Sequence, residues 1–224
     1  MLTTGDGSVT IHIPEWNEQY HSKHGAIAEA QHVFIKTGLH HFLSQKSKDV
    51  KVPLAILEIG FGTGLNAFLT LLEAKNLSVK IEYTGVEAYP ISVSEISELN
   101  YASLLGESIG IFQKMHESTW EIPSEISDNF QLTKKKKLFS EIKAVEAFHL
   151  IYFDAFGARV QPDLWTEVIF TIMYKALLPK GVLVTYAAKG SVRRAMQAVG
   201  FIVERLPGPP GKREMLRATK PGEN

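Results

Sequence analysis

The chain has 224 residues, 45% of them apolar and 10% aromatic, enough for one domain of roughly 200 residues with a full core. Its 24 lysines and arginines balance 24 aspartates and glutamates, which excludes a globally basic coat for nucleic acid and an acidic disordered tail. The absence of cysteine removes disulfides, Cys-liganded zinc, iron–sulfur clusters and thiolate nucleophiles, and fits a cytoplasmic protein. The start, MLTTGDGSVTIHIPEW, lacks signal-peptide form, and no apolar run approaches the ~20 residues that span a bilayer, so no membrane association is expected.

In chain order, a short alternating stretch, Val9 to Ile13, precedes apolar residues at helical spacing from Ala26 to about Ser44. This predicts an N-terminal helical cover, residues 1–53, ahead of a main unit, residues 54–224. From Leu54 the pattern becomes apolar run, glycine turn, helix, apolar run, which is the signature of an α/β fold. LAILEI (54 to 59) reads as a strand buried on both faces, Leu65 to about Lys75 as a helix, and IEYTGV (81 to 86) as a second strand. A helical stretch around Ser92 to Leu105 leads to an expected third strand near Ile111 to Met115, and 116–147 reads as an insertion. FHLIYF (148 to 153) is a fourth strand, followed by an expected helix from Pro162 to Leu178 and the strand VLVTYA (182 to 187). A shorter helix around Val192 to Val199 leads to FIVERL (201 to 206) and REMLRA (213 to 218). PGPPGK between them is too short for a crossover helix, which predicts an antiparallel hairpin closing a mostly parallel, seven-stranded sheet. This is the plan of the Rossmann-like class I S-adenosylmethionine-dependent methyltransferases.

Glu58-Ile-Gly60-Phe-Gly62-Thr-Gly64 lies between a buried strand and a helix, where backbone must approach a nucleotide-like ligand closely and a helix start offers free N–H groups. A hydride-cofactor fingerprint wants a glycine where Leu65 stands, whereas E-x-G-x-G-x-G suits adenosylmethionine. Glu87 ends the second strand, where a carboxylate can accept both hydrogen bonds of a ribose diol. His116-Glu117 lies where an adenine edge is often met. Asp154 follows FHLIYF directly, at the carboxyl end of a buried strand and facing the crevice where α/β folds bind ligands. Methyl transfer to an amine needs a free lone pair, and this carboxylate can orient or deprotonate the nitrogen. Phe156 either stacks on a base or packs into its loop. Asp163 reads as a helix-start residue and Trp165 as core. The eight histidines form no metal-ligand pattern.

Charge is asymmetric along the chain. Residues 58–128 carry eleven acids against three lysines, whereas 189–220 carry eight cations, among them Arg193, Arg194, Lys212 and Arg213, against Glu204 and Glu214. Cations clustered near the crevice suit a polyanionic substrate, because released counterions supply much of such binding. Lys134 to Lys137 either extends that patch or, in the favoured reading, protects an edge strand from aggregation.

Tyr20-His-Ser22 with Gly25, Glu29 and Val33-Phe34, the block EIGFGTGLNAF (58 to 68), Glu87 with Pro90, DAFGARVQPDLW (154 to 165), Gly190-Ser-Val-Arg193-Arg194 and Gly211-Lys-Arg-Glu-Met-Leu216 together cover nearly the whole chain. In them the sequence resembles the tRNA 5-methylaminomethyl-2-thiouridine methyltransferases, found as the amino-terminal half of bifunctional MnmC proteins and as stand-alone MnmD. The resemblance implies methylation, with S-adenosyl-L-methionine as donor, of the aminomethyl group of 5-aminomethyl-2-thiouridine at the tRNA wobble position. It implies a monofunctional enzyme without the FAD oxidase half, linked in function to a separate enzyme that supplies the aminomethyl precursor. It assigns Tyr20, Glu58, Gly60, Gly62, Gly64, Glu87 and Glu117 to the cofactor pocket and Asp154 to the reacting amine. Phe156, Arg193, Arg194, Lys212 and Arg213 would meet the tRNA anticodon arm. Ala158-Arg159 departs from the family's usual Pro and Lys. Read from the residues alone, an N-methyltransferase for small amines and a nicotinamide-dependent oxidoreductase remain as alternatives.

Overall fold

The computed structural model describes residues 1–45 and 53–222. The alternating N-terminal stretch folds into two antiparallel ribbons, Leu2–Thr3 with Val9–Thr10 and His12–Ile13 with Glu18–Gln19. The expected first helix, α1, runs unbroken over Ala26–Ala30, Gln31–His40 and His41–Ser44, with π geometry in its middle segment. Its apolar spacing buries Val33, Phe34 and Leu39. The junction between the two expected units adjoins residues 46–52, which lie outside the described residues.

The main unit starts with β1 (Leu54–Ile59), α2 (Leu65–Leu77) and β2 (Ile81–Glu87). Three helices follow, α3 (Val93–Glu98), α4 (Tyr101–Leu104) and α5 (Ile109–Glu117), and then β3 (Ser124–Ser127) and β4 (Phe130–Lys136). The remainder is β5 (Phe148–Phe153), α6 (Glu167–Ala176), β6 (Leu177–Thr185), α7 (Gly190–Ala198), β7 (Ile202–Pro207) and β8 (Glu214–Thr219).

One sheet takes the order β7-β8-β6-β5-β1-β2-β4-β3. Its five central strands, β6 to β4, are parallel; β7, β8 and β3 run antiparallel to their neighbours. The strand period of two splits the apolar runs between two layers. Ile56, Tyr83, Leu150, Tyr152 and Val184 face α1, α2 and α5, whereas Leu57, Ile59, Ile151, Phe153 and Leu183 face α6 and α7. Continuous burial of β1 and β5 follows from helices on both faces.

The sheet has eight strands where seven were expected, because the stretch 116–147 contains the extra edge strand β3. The expected third strand, Ile111 to Met115, is part of helix α5, whose three-residue spacing buries Phe112 and Met115. The third parallel strand is instead β4. It alternates regularly, but Lys134 occupies the buried row after Phe130 and Leu132. β4 is therefore an inner strand, and the reading of Lys134 to Lys137 as edge protection is corrected: Lys134 is 2% exposed. The helix expected over Pro162 to Leu178 is a 3-10 turn at Pro162–Trp165 followed by α6, because Thr166 is extended between them. β6 then starts at Leu177, passes through Pro179 and Gly181, and resumes register with β5 only at Val182. The terminal hairpin forms as expected, with Ile202 opposite Thr219 and Pro207 opposite Glu214. No described helix is long and apolar enough to cross a membrane.

Candidate active site

The carboxyl ends of β1, β2, β4 and β5 surround one cavity of about 1040 Å³, roofed by residues 13–24 and reached by Lys212 from the β7–β8 turn. Ligand sites in parallel sheets form at these strand ends, and the volume lies at the upper end of the roughly 300–1,000 Å³ range of ligand pockets.

The glycine loop is shaped by contact. Gly60 has φ +89°, and a Cβ there would lie 2.6 Å from the Asp154 carbonyl oxygen; Gly62 has φ +49° and faces the Tyr20 ring. The Gly62 N–H donates to Glu87 Oε2 at 3.1 Å and the Tyr89 N–H to Oε1 at 2.9 Å. Glu87 is thereby fixed at the rim with one lone pair per oxygen still to offer. Burial raises its pKa. From the other side, His116 Nε2 donates to the Thr63 carbonyl at 3.1 Å, and Lys134 Nζ donates to the His116 carbonyl. Burial, with Lys134 adding to it, lowers His116 to about 4. His21, within the roof, is likewise held at about 4 by burial, and it hydrogen-bonds with Thr10 and Thr63.

Asp154 lies on the cavity wall at the end of β5. Asn66 Nδ2 donates to Asp154 Oδ2 at 2.8 Å and to Glu58 Oε1 at 2.9 Å, so one amide ties together two carboxyl groups. Distance from bulk water, and then the negative charge of Glu29, push the Asp154 pKa up to about 7. Burial pushes Glu58 well above the usual carboxylate range. Glu58 Oε2 and Asn66 Oδ1 are buried and have no partner among the described residues.

Tyr20, Gly60, Gly62, Glu87, Asp154, Phe156 and Lys212 all line the cavity, as the sequence predicts for one site. Glu58 and Gly64 do not reach its surface: Glu58 is fully buried and acts through Asn66, and Gly64 adopts φ +74° to start α2. Glu117 departs from its expected place. It ends α5 rather than a strand, is exposed, and borders a separate shallow cleft with Lys114 and Ser124. The loop after β4, residues 138–140, takes the position expected of Glu117, because β4 is the true third parallel strand.

Phe156 meets Trp16 and Tyr20 edge-on at 5.4 and 4.9 Å, which joins the roof to the loop after β5. Arg159 Nη2 strengthens this joint through an ion pair with Glu18 at 2.6 Å. Arg193, Arg194 and Arg213 stay outside the cavity. Of the C-terminal cations, Arg205 pairs with Glu214, Arg217 with Glu204, Lys220 with Glu146 and Lys212 with Glu29. Sequence reasoning missed Asn66, Glu29 and Tyr186 as cavity residues. Asn66, within the EIGFGTGLNAF block, and Glu29, beside Tyr20-His-Ser22, stood in the resembling stretches without a role assigned to them, and Tyr186 carried no signal.

Residues 112–221 match the model of a family described as S-adenosyl-L-methionine-dependent methyltransferase. The chain is 28% identical to the tRNA 5-methylaminomethyl-2-thiouridine biosynthesis bifunctional protein MnmC of Pseudomonas aeruginosa, over 92% of its own length and 33% of that protein. It is 27% identical to the MnmC of Pseudomonas syringae pv. tomato, over 91% and 32%. The chain thus spans about a third of the length of the curated relatives it matches. Among solved structures, MNMC2 from Aquifex aeolicus superposes with a TM-score of 0.76 at 24% identity, covering 100% of this chain and 71% of that one. A spermidine synthase in complex with the transition state analogue AdoDATO gives 0.57 at 16%, covering 96% and 71%. The order of five parallel strands ending in an antiparallel hairpin and the glycine loop agree with these likenesses: the chain has the fold of MNMC2, and it is similar over residues 112–221 to a family of S-adenosyl-L-methionine-dependent methyltransferases and over most of its length to the MnmC proteins.

Proposed function

We propose that the protein methylates the aminomethyl nitrogen of 5-aminomethyl-2-thiouridine at the wobble position of tRNA, in the cytoplasm, acting after a separate enzyme that supplies the aminomethyl group. The observation that carries this reading is the Asp154 carboxyl group, set in the same cavity as the glycine loop with its pKa raised to about 7. The printed names of the MnmC relatives support the choice of acceptor.

The cavity residues fit the methyl donor. Gly60 and Gly62 let the loop pack against the Asp154 backbone and the Tyr20 ring at the cavity wall, Glu87 has lone pairs for a ribose diol, and Asn66 Oδ1 is an orphan acceptor suited to an ammonium group. Tyr20 and residues 138–140 complete the walls. When bound, S-adenosyl-L-methionine supplies a methyl group on a positively charged sulfur, an electrophile that needs only a free lone pair. The chain's own work is to provide that lone pair. An alkylammonium near neutral pH has none, and Asp154, as carboxylate, accepts its proton across the cavity. With a pKa near 7 it is deprotonated often enough to act while remaining a competent base. The roof, joined to the sheet by Phe156 and the Arg159–Glu18 pair, excludes water from the reacting groups. Lys189, Arg193, Arg194 and Arg213 have no ion-pair partner among the described residues and supply the cationic surface for the anticodon arm.

The test is transfer of labelled methyl from S-adenosyl-L-methionine to tRNA carrying 5-aminomethyl-2-thiouridine, with nucleosides read by mass spectrometry. Label is expected in 5-methylaminomethyl-2-thiouridine, and charge reversal at Arg193 and Arg194 should raise the KM for tRNA while flattening its salt dependence. Transfer to free small amines but to no tRNA would overturn the assignment.

A further inference from the structure

Three charged side chains from distant parts of the chain share the cavity wall: Asp154, Glu29 and Lys212. Glu29 comes from α1, is only 7% exposed, and is immobilised by the Ser22 N–H, which donates to its Oε2 at 2.9 Å. The Lys212 ammonium donates to Glu29 Oε1 and lies 3.8 Å from the centroid of the Tyr186 ring. Tyr186 is in turn fixed by its hydroxyl, which donates to the carbonyl of Ala155, next to Asp154, at 2.8 Å.

A carboxylate and an aromatic face, both withdrawn from bulk water, form an ammonium site by electrostatics alone. The group found there, a lysine terminus, is a primary alkylammonium, the same chemical class as an aminomethyl acceptor. The two walls of the site are rigid, but its occupant is not. Lys212 extends from the turn between β7 and β8, and its side chain keeps about a third of its surface in solvent, against about a tenth for Glu29. Exchange of one ammonium for another also leaves Glu29 compensated throughout, which avoids the cost of a buried unpaired charge.

We infer that Glu29 and the Tyr186 ring are the subsite for the acceptor's ammonium group, occupied by Lys212 in the free protein and yielded by it when a primary amine enters beside Asp154. This inference rests on the reading of the acceptor as an amine. Glu29 and Tyr186 position the nitrogen; Asp154 takes its proton. Lys212 then acts as a selectivity filter, since a neutral group cannot displace it.

The probe is n-butylammonium chloride, titrated by calorimetry into the wild-type protein, Lys212→Met and the double variant Lys212→Met/Glu29→Gln. Lys212→Met should bind it at least about tenfold more tightly than wild type, and the double variant should lose that gain, as expected for a charge-assisted contact. Equal binding by all three proteins, or tightest binding by wild type, overturns the proposal. Should Lys212→Met fail to fold, Lys212→Gln keeps a donor toward Glu29 and is read in the same way. In turnover, Glu29→Gln should raise the acceptor KM roughly ten- to a hundredfold with the KM for S-adenosyl-L-methionine unchanged. A rise in acceptor KM in Lys212→Met, with a salt slope reduced by about one, would assign Lys212 to a phosphate instead. The calorimetry needs no tRNA, so a failure to methylate tRNA removes the proposed function while leaving the amine site to be judged separately.

Discussion

A carboxylate held far from bulk water costs the fold something, and Asp154 is the residue where that cost is measurable. Its folded pKa of about 7 exceeds the ordinary value of 3.8, so the folded chain binds this proton more tightly than the unfolded one. The resulting stabilisation is present in acid and is lost as pH rises from 3.8 to about 7. Asp154→Asn should therefore abolish methyl transfer and yet raise stability at pH 8 by on the order of 1–3 kcal/mol, measured by urea unfolding. For the wild type, kcat should increase with pH through about 7, because the carboxylate form is the one that accepts a proton. Asn66 is the second residue to test, since its single amide nitrogen serves both Glu58 and Asp154. Asn66→Leu removes the donor from two buried carboxyl groups. It should destabilise by about 1–3 kcal/mol and move the midpoint of the pH–rate profile to higher pH.

At the scale of elements, β4 explains why 116–147 was hard to read. Strand periodicity is visible in Phe130, Leu132 and Lys134, but a lysine in the buried row hides it from any pattern of apolar residues. Lys134 is tolerated there because its ammonium donates to the His116 carbonyl and lies 5.0 Å from the Trp120 ring; burial lowers it to about 8. It ties β4 to α5, and α5 through His116 to the glycine loop. The four lysines are therefore not equivalent. Lys134→Glu should cost about 3 kcal/mol or more, by burying an anion without a donor, whereas Lys136→Glu at an exposed position should stay within ~0.5 kcal/mol. Chemical denaturation of the two variants checks both values. Helix α5 illustrates the converse ambiguity, because the short apolar run around Ile111 and Met115 serves a helix as well as a strand.

For the whole molecule, acid stability is set by groups that brace the cavity from opposite sides. His21 and His116 both have folded pKa values near 4, below the ordinary 6.5. The unfolded chain takes up their protons first, so their contribution is present above 6.5 and is lost as pH falls to about 4. Over much of this window Asp154 acts in the opposite sense, and two histidines outweigh one aspartate. His116→Gln should remove about one proton from the pH dependence, or ~1.4 kcal/mol per pH unit between 6.5 and 4, as read from urea midpoints.

What the sequence determined by itself was local and contiguous. The buried runs LAILEI and FHLIYF, the glycine turn after the first, Glu87 at the end of β2 and Asp154 at the end of β5 each carry strand, turn and chemistry within a few residues. Parallel packing then obliges their carboxyl ends to converge. The tertiary structure decided everything that depends on distance along the chain. Glu29 and Lys212 meet across 183 residues, Arg159 and Glu18 across 141, and Asn66 joins Glu58 to Asp154 only because β1 and β5 are neighbours. No spacing rule reports such meetings, since each pair is brought together by the sheet order and the roof rather than by its own neighbours. The same reason moved Glu117 out of the cavity and put residues 138–140 into it: a strand's place in the sheet is fixed by its partners.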